Sequence, residues 1–326
     1  MPGSRPDDFF LFLTIDRGMI LPPVCSSILE AASPSFIGTG QWETGMSTSK
    51  TAIGPRPDRF RAAGGRPLSA ALGDLASGFA QWRIWALLSW HDIKLRYRGS
   101  LLGPFWLTVS MGVMIGALAV VYGPLFDQDL GQYVPYLTCG FLAWGLILGL
   151  LTDGCLTFIG SDALIRQIRL PLSVFVYRVA CRNAIVLAHN AVIYAAVLAV
   201  FRLWPGWTGL LALAGVAGVM IGLLWAVLVF GMVCARFRDV APIVSNVMQV
   251  AFFVTPIIWR PEDIKRDSLL VDANPFHHFI EVIRMPLLGQ PPAAASWAVV
   301  AVTGLAGWCL AIVLYRRFRS RIAFWV

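Results

Sequence analysis

Six apolar runs, each close to the roughly 20 residues that cross the hydrocarbon core of a bilayer, alternate with short polar joints along most of this chain. They fall at about 101–123, 133–157, 174–201, 207–235, 240–259 and 294–315. Ahead of them the pattern is different. In residues 76–98, "ASGFAQWRIWALLSWHDIKLRYR", the side chains of Phe79, Trp82, Ala86, Trp90, Ile93 and Tyr97 follow one helical stripe. With Lys94, Arg96 and Arg98 near its end, this stripe predicts a helix lying in the membrane interface. Arg83 falls close to the centre of the stripe, and Ile84, Leu88 and Leu95 make a second apolar face that can meet a partner or a span.

Residues 1–75 keep neither pattern. Rich in Pro, Gly, Ser, Thr and Arg, they read as a mobile cytoplasmic tail, with Met46 as an alternative start of translation. The patch "FFLFLTI" is too short for a signal-peptide core and follows Asp7 and Asp8 where basic residues would be needed. Near the other end, "NPFHHFIEVIRMPLLG" opens on Asn-Pro, spaces Phe276, Ile280, Ile283 and Leu287 along one face, and stops at Gly289. That is a short element too small to cross. The expected fold is an all-α polytopic membrane protein: six transmembrane helices within 99–326, an N-terminal amphipathic interface helix at 76–98, and short re-entrant or external helices before the last span.

Composition agrees, since 57% of the 326 residues are hydrophobic and only 13% charged, about half the charge of a typical soluble domain. The net charge of +8 would suit nucleic acid, but the arginines gather at the ends of apolar runs, where they orient spans. Nucleic acid is therefore not an expected partner. Arg166, Arg169, Arg178, Arg182, Arg236, Arg238, Arg316, Arg317, Arg319 and Arg321 fall on one side, against only Arg202 in the short connections of the other, which places both termini in the cytoplasm. The long connection 260–293 is mixed. Six cysteines show neither CxxC nor Cys/His spacing and read as small buried hydrophobes, with no metal site.

The common catalytic and nucleotide motifs, Walker A, GxSxG, HExxH and the Gly-rich dinucleotide fingerprint, do not occur. Ser110 and His189 form a crude nucleophile–base pair that no motif supports. Inside the spans, the ionisable groups are Asp153, Arg178 and Arg182. A chain of acidic groups such as a proton- or sodium-driven pump uses is missing, so the energy for any transport is expected from another polypeptide. It would enter through the arginine-bearing loops: "FIGSDALIRQIRLPLS" (158–173), a short amphipathic helix carrying Leu164, Ile165 and Ile168 beside Arg166 and Arg169, and the tighter turn "ARFRDVAP" (235–242). Tyr122, Tyr133, Tyr136, Trp144, Trp204, Trp207 and Trp259 fall near the outer boundary, as an aromatic belt or as faces that stack on sugar rings.

In order, the interface helix, "LRYRGSLLGPFWLTVSMGV", "IRQIRLPLSVFVYR", "ARFRDV", "TPIIW", "NPFHHFIEVIRMPLLG" and "RRFRSRIAFWV" resemble the permease subunit of type-2 ABC exporters over roughly 76–326. Within these the chain is most similar to the polysaccharide group, O-antigen exporters first and capsule and teichoic-acid exporters more distantly. The resemblance implies a homodimer in a bacterial inner membrane, working with two copies of a separate ATPase subunit. That subunit would bind ATP and magnesium; no cofactor is expected on this chain, and its role would be transport and not catalysis. The ATPase-coupling residues would be Arg96, Arg98, Leu164, Arg166, Arg169, Arg236, Arg238 and Asp239. The channel and glycan contacts would come from Trp106, Tyr122, Tyr136, Trp144, Phe252, Phe253 and Trp259. The external gate would hold Asn274, Pro275, Phe276 and Phe279. The expected cargo is a lipid-linked polysaccharide; the alternatives are a small hydrophobic compound or, further off, an intramembrane enzyme. At the junction of interface helix and first span, Gly99 would let the chain turn, Ser100 cap the next helix, and Pro104 occupy its first turn.

Overall fold

The apolar runs fold as long helices in the computed structural model, which describes residues 68–326 apart from Tyr97, residues 99–104 and residues 262–268. The tail expected before residue 68, the start at Met46 and the roles of Gly99, Ser100 and Pro104 lie outside the described residues. Two helices come first, α1 (Leu68–Ala80) and α2 (Trp82–Arg96). Then follow α3 (Phe105–Leu125), α4 (Leu130–Cys155), a 3-10 turn at Ile159–Ser161, α5 (Asp162–Gln167) and α6 (Ser173–Phe201). A second 3-10 turn, Trp207–Leu210, opens α7 (Leu211–Arg236), and α8 (Val240–Val254), α9 (Leu269–Asp272), α10 (Pro275–Leu287) and α11 (Ala294–Trp325) complete the described chain. This is an all-α polytopic membrane fold.

Among the described residues, α3, α4, α6, α11 and α7 with its opening 3-10 turn are long and apolar enough to cross a membrane. The expected fifth span is shorter. Its helix, α8, covers 15 residues, about 22 Å at 1.5 Å per residue, less than a hydrocarbon core of about 30 Å. Pro256 is the reason: the residue before a proline is pushed out of the helical region, and Thr255 is extended at φ −85° and ψ 137°. The chain then runs through Trp259 pinned from below by α4, with the Tyr133 hydroxyl donating to the Ile258 carbonyl at 2.6 Å and the Tyr136 hydroxyl 3.1 Å from the Pro256 carbonyl.

That segment and α10 close one end of the bundle. Asn274 caps α10 by accepting from the Phe276 amide at 3.0 Å, while its own amide donates to the Thr255 hydroxyl at 2.9 Å, and Pro275 sits in the first turn. Of the expected stripe, Ile280 and Ile283 are buried, with Phe276 and Leu287 packed at its margins. α10 crosses α7 so closely at Gly215 that a Cβ there would collide with the Val282 carbonyl, the close approach small residues allow between membrane helices. The bundle centre is α4, whose Ile147 and Leu150 pack with Val179 of α6, Val227 and Leu228 of α7 and Ile280 of α10.

At the opposite, arginine-rich end, the interface helix is two helices and begins eight residues earlier than its stripe suggests. The residues of α1 that face the bundle, Ala71, Asp74 and Gly78, hold it there, so Leu68 to Leu75 are part of the packed structure. Gln81 marks the break, its amide reaching the carbonyls of Ser77 and Gly78. α11 also runs past the expected end at 315, because Tyr315, Phe318, Ile322 and Trp325 continue one helical face: Tyr315 and Ile322 are buried, and the rings of Phe318 and Trp325 lie 5.7 Å apart.

Candidate functional site

α2 is bonded to the spans by a charged network. Trp85, Ser89, Asp92, Ile93 and Arg96 lie on one helical face, where Ser89 and Ile93 are buried. The Ser89 hydroxyl lies 2.6 Å from the Trp85 carbonyl of its own helix and 2.8 Å from the Arg178 carbonyl of α6. Asp92 takes a bidentate pair from Arg178, through Nε at 2.7 Å and through Nη2, and a third bond from Arg182 Nη1 at 3.2 Å. Arg182 then reaches Asp153 of α4 at 2.9 Å, which also accepts from Asn183 at 3.1 Å and faces Arg96 of α2 at 3.9 Å. Finally, Arg178 Nη1 donates to the hydroxyl of Ser161, in the turn before α5, at 3.3 Å. The loop of bonds runs α2, α6, α4 and back to α2. Arg178 and Arg182 are one turn apart on α6, so Asp92 can hold both. Charge-assisted bidentate geometry is what offsets the desolvation of groups this enclosed.

A second carboxylate fixes α1. Asp74, 8% exposed, accepts from the Ser173 amide at 3.1 Å and from the Tyr315 hydroxyl at 2.6 Å, with Arg319 Nε 3.6 Å away. Ser173 is the first residue of α6, so the carboxylate also faces the positive end of that helix. The Ser173 hydroxyl returns a bond to the Asp74 carbonyl at 2.6 Å, Arg319 Nη1 donates to the Ala70 carbonyl, and Tyr177 donates to Leu75 at 3.2 Å. Phe79 and Trp85 flank the Tyr177 ring. The outward faces of the pair carry Phe79, Trp82, Leu87 and Trp90, all exposed, as an interfacial helix requires.

Of the residues expected to couple to an ATPase, Arg96 enters this network. Arg98, Arg169, Arg238 and Asp239 are exposed. Arg166 is exposed and donates to the Val326 carbonyl at 2.6 Å, Leu164 is half-buried against the core, and Arg236 lies over the rings of Phe237 and Trp325. The channel candidates divide. Trp144 packs against Phe252 and Phe276, with rings 5.8 Å apart in each case, and Phe253 lies 5.4 Å from Phe252. Trp106 and Tyr122 stand apart on α3, the first exposed and the second stacked on Phe126. Among the gate candidates Phe279 is buried, and Asn274, as cap, and Phe276 are half-buried.

The belt reading is corrected for three residues. Tyr133, Tyr136 and Trp144 are buried inside the chain because α4 is its central helix, whereas Trp204 and Trp207 are 88% exposed and Trp259 is half-buried. Ser110 and His189 each bond to their own helix, the hydroxyl donating to the Trp106 carbonyl at 2.8 Å and His189 Nδ1 lying 2.8 Å from the Ile185 carbonyl.

Asp74, Asp92 and Arg284 were not singled out by sequence reasoning. Arg284, 1% exposed, donates to the Pro256 carbonyl at 2.7 Å and stands 4.3 Å from the centre of the Tyr136 ring, with the Arg260 guanidinium 5.0 Å from that ring. Beside it His277 lies 3.5 Å from Glu281; burial pushes its pKa down to about 4, against the opposite pull of that carboxylate. Among the described residues no cluster of His, Cys, Asp and Glu is arranged to hold a metal.

The family described as "ABC-2 type transporter" matches residues 83–288. Its matched stretch contains all but the first residue of α2, the α2 network and the capped end. The chain is 22% identical over 188 residues to an O-antigen export system permease protein RfbA of Myxococcus xanthus, covering 57% of this chain and 72% of that one. Two proteins of the same name from Klebsiella pneumoniae are 20% and 19% identical over 234 residues, each covering 71% of this chain and 90% of the relative.

Proposed function

This chain belongs to the ABC-2 type transporter family, and from that premise we propose that it is the channel subunit of an ATP-driven exporter of a lipid-linked polysaccharide, O-antigen foremost. It works as a homodimer with two copies of a separate ATPase, which binds the ATP and magnesium, in a bacterial inner membrane with the arginine-rich end and both termini in the cytoplasm. The observation that carries this reading is the charged strap from α2 to α6 and α4. A helix lying along the membrane surface can pass on a push only if it is bonded stiffly to spans, and Asp92 bonds two arginines of α6 while Arg182 extends the link to Asp153. α5, held to the same network through Ser161 and packed on the core by Leu164, gives the ATPase a second point of contact, with Arg166 and Arg169 facing it.

The names of the three relatives support the choice of cargo. So does the aromatic group Phe252, Phe253 and Phe276, packed on the buried Trp144, whose accessible faces suit the apolar faces of sugar rings, beside an end closed by α10 as the gate. Depletion of the protein in its source cell tests the reading. Lipid-linked polymer is expected to accumulate inside while surface glycan falls; unchanged surface glycan with no internal accumulation would overturn it.

A further inference from the structure

Two spans that touch closely at one level and part at another leave a groove. α7 and α11 come close enough that a Cβ on Gly304 would lie 3.2 Å from the Gly222 Cα, and there Trp308 Nε1 donates to the Ile221 carbonyl at 3.0 Å. Ten residues further along each helix, about 15 Å toward the arginine-rich end, stand Met232 and Leu314. Between them opens a cavity of about 450 Å³, within the range that small-molecule sites occupy. Its apolar walls include Val229, Met232, Leu314, Phe318 and Trp325, and Arg236 and Arg321 line it beside Phe237.

The chemistry of this groove is divided along its length. The inner part has apolar walls and lies within two membrane-spanning helices. Both arginines are on the last turns of those helices and are exposed. Neither makes an ion pair with a carboxylate among the described residues; Arg236 is instead held by the rings of Phe237 and Trp325. Elsewhere at this end two carboxylates are already paired, Asp92 with Arg178 and Arg182 and Asp74 with Tyr315 and Arg319. Two guanidiniums above an apolar slot match an acyl chain joined to a phosphate, since guanidinium pairs bidentately with phosphate oxygens. Trp325 adds a ring at the depth where tryptophan sits between headgroup and acyl chain.

We propose that the α7–α11 groove is a binding site for an anionic phospholipid of the leaflet on the arginine-rich side, with an acyl chain along Met232 and Leu314 and the phosphate between Arg236 and Arg321. The site lies apart from the α2 network and depends only on the chain's spanning a membrane, so it stands whether or not the cargo is a polysaccharide. The bound lipid would fill the space between the two helices and fix the last turns of α11.

Native mass spectrometry of the full chain in detergent, with phosphatidylglycerol or phosphatidylcholine added at equal concentration, tests it. Phosphatidylglycerol is expected to be retained at least about tenfold more strongly, and the double variant Arg236→Gln/Arg321→Gln is expected to lose that preference. Met232→Trp fills the slot and leaves both charges, so it should reduce retention of both lipids while the helical circular dichroism stays as in the wild type. Equal retention of the two lipids, or an undiminished preference in the double variant, would overturn the proposal. So would loss of the dimer in both variants without loss of lipid, which would make the groove a contact between copies.

Discussion

The two ends of this bundle are held by different mixtures of bonds. At the arginine-rich end, carboxylates join elements far apart in the chain: Asp74 meets Tyr315, and Asp92 meets Arg178 and Arg182. At the capped end, hydroxyls and a buried guanidinium hold backbone carbonyls, as Tyr133 holds Ile258, Tyr194 holds Leu287 and Arg284 holds Pro256. The difference is one of stiffness and cost. A bidentate charged pair resists displacement, and loss of one partner strands the other charge; a hydroxyl on a carbonyl can be replaced by water or another hydroxyl as a segment moves. The first suits a strap that passes on force, the second a lid that must open.

Substitutions at the two ends should separate them. Asp92→Ala leaves Arg178 and Arg182 without their shared carboxylate and is expected to destabilise the fold by about 3–5 kcal/mol, read as thermal unfolding in detergent together with faster hydrogen exchange across α2. Asp74→Asn keeps the shape but removes the charge facing Arg319 and the start of α6; a loss of about 2 kcal/mol is expected, with exchange increased in α1 and not in α10. At the other end Tyr194→Phe removes one bond to Leu287 and should cost about 1 kcal/mol, with increased exchange confined to α10. If Tyr194→Phe matched Asp92→Ala, the contrast between strap and lid would fail.

The gentlest probe is pH. His277 is held neutral by burial, with its pKa at about 4 against an ordinary 6.5, so the unfolded chain binds more protons between those values. Stability at the capped end should therefore decline as pH falls from 6.5 toward 4, while α1 and α2 keep their protection. Hydrogen exchange at pH 7 and pH 5 checks this, and His277→Gln should remove the His277 part of the decline.

Much of this architecture was legible because apolar length is local: a run of about 20 such residues announces a span wherever it packs. The exceptions have equally local causes. Pro256 ends α8 early, and a face continuing through Phe318, Ile322 and Trp325 carries α11 on beneath its arginines. Depth along a span was legible too, but rotation about its axis was not, so Tyr136 and Trp144 read as boundary aromatics when they face inward. The straps were the least visible. Asp74 sits among alanines and glycines in a stretch with little pattern, and its partners Ser173 and Tyr315 lie 99 and 241 residues away. Asp92, one acid in a basic segment, has the look of a solvated charge until α6 is laid against it.

On the proposed function, work reaches the spans through Asp92. The direct measurement is lipid-linked polymer delivered per ATP hydrolysed, with the protein reconstituted together with the ATPase proposed as its partner and Asp92→Asn compared with the wild type. A ratio at least about tenfold lower is expected, because the neutral amide cannot hold both guanidiniums. An unchanged ratio in a variant whose α2 remains docked would contradict it.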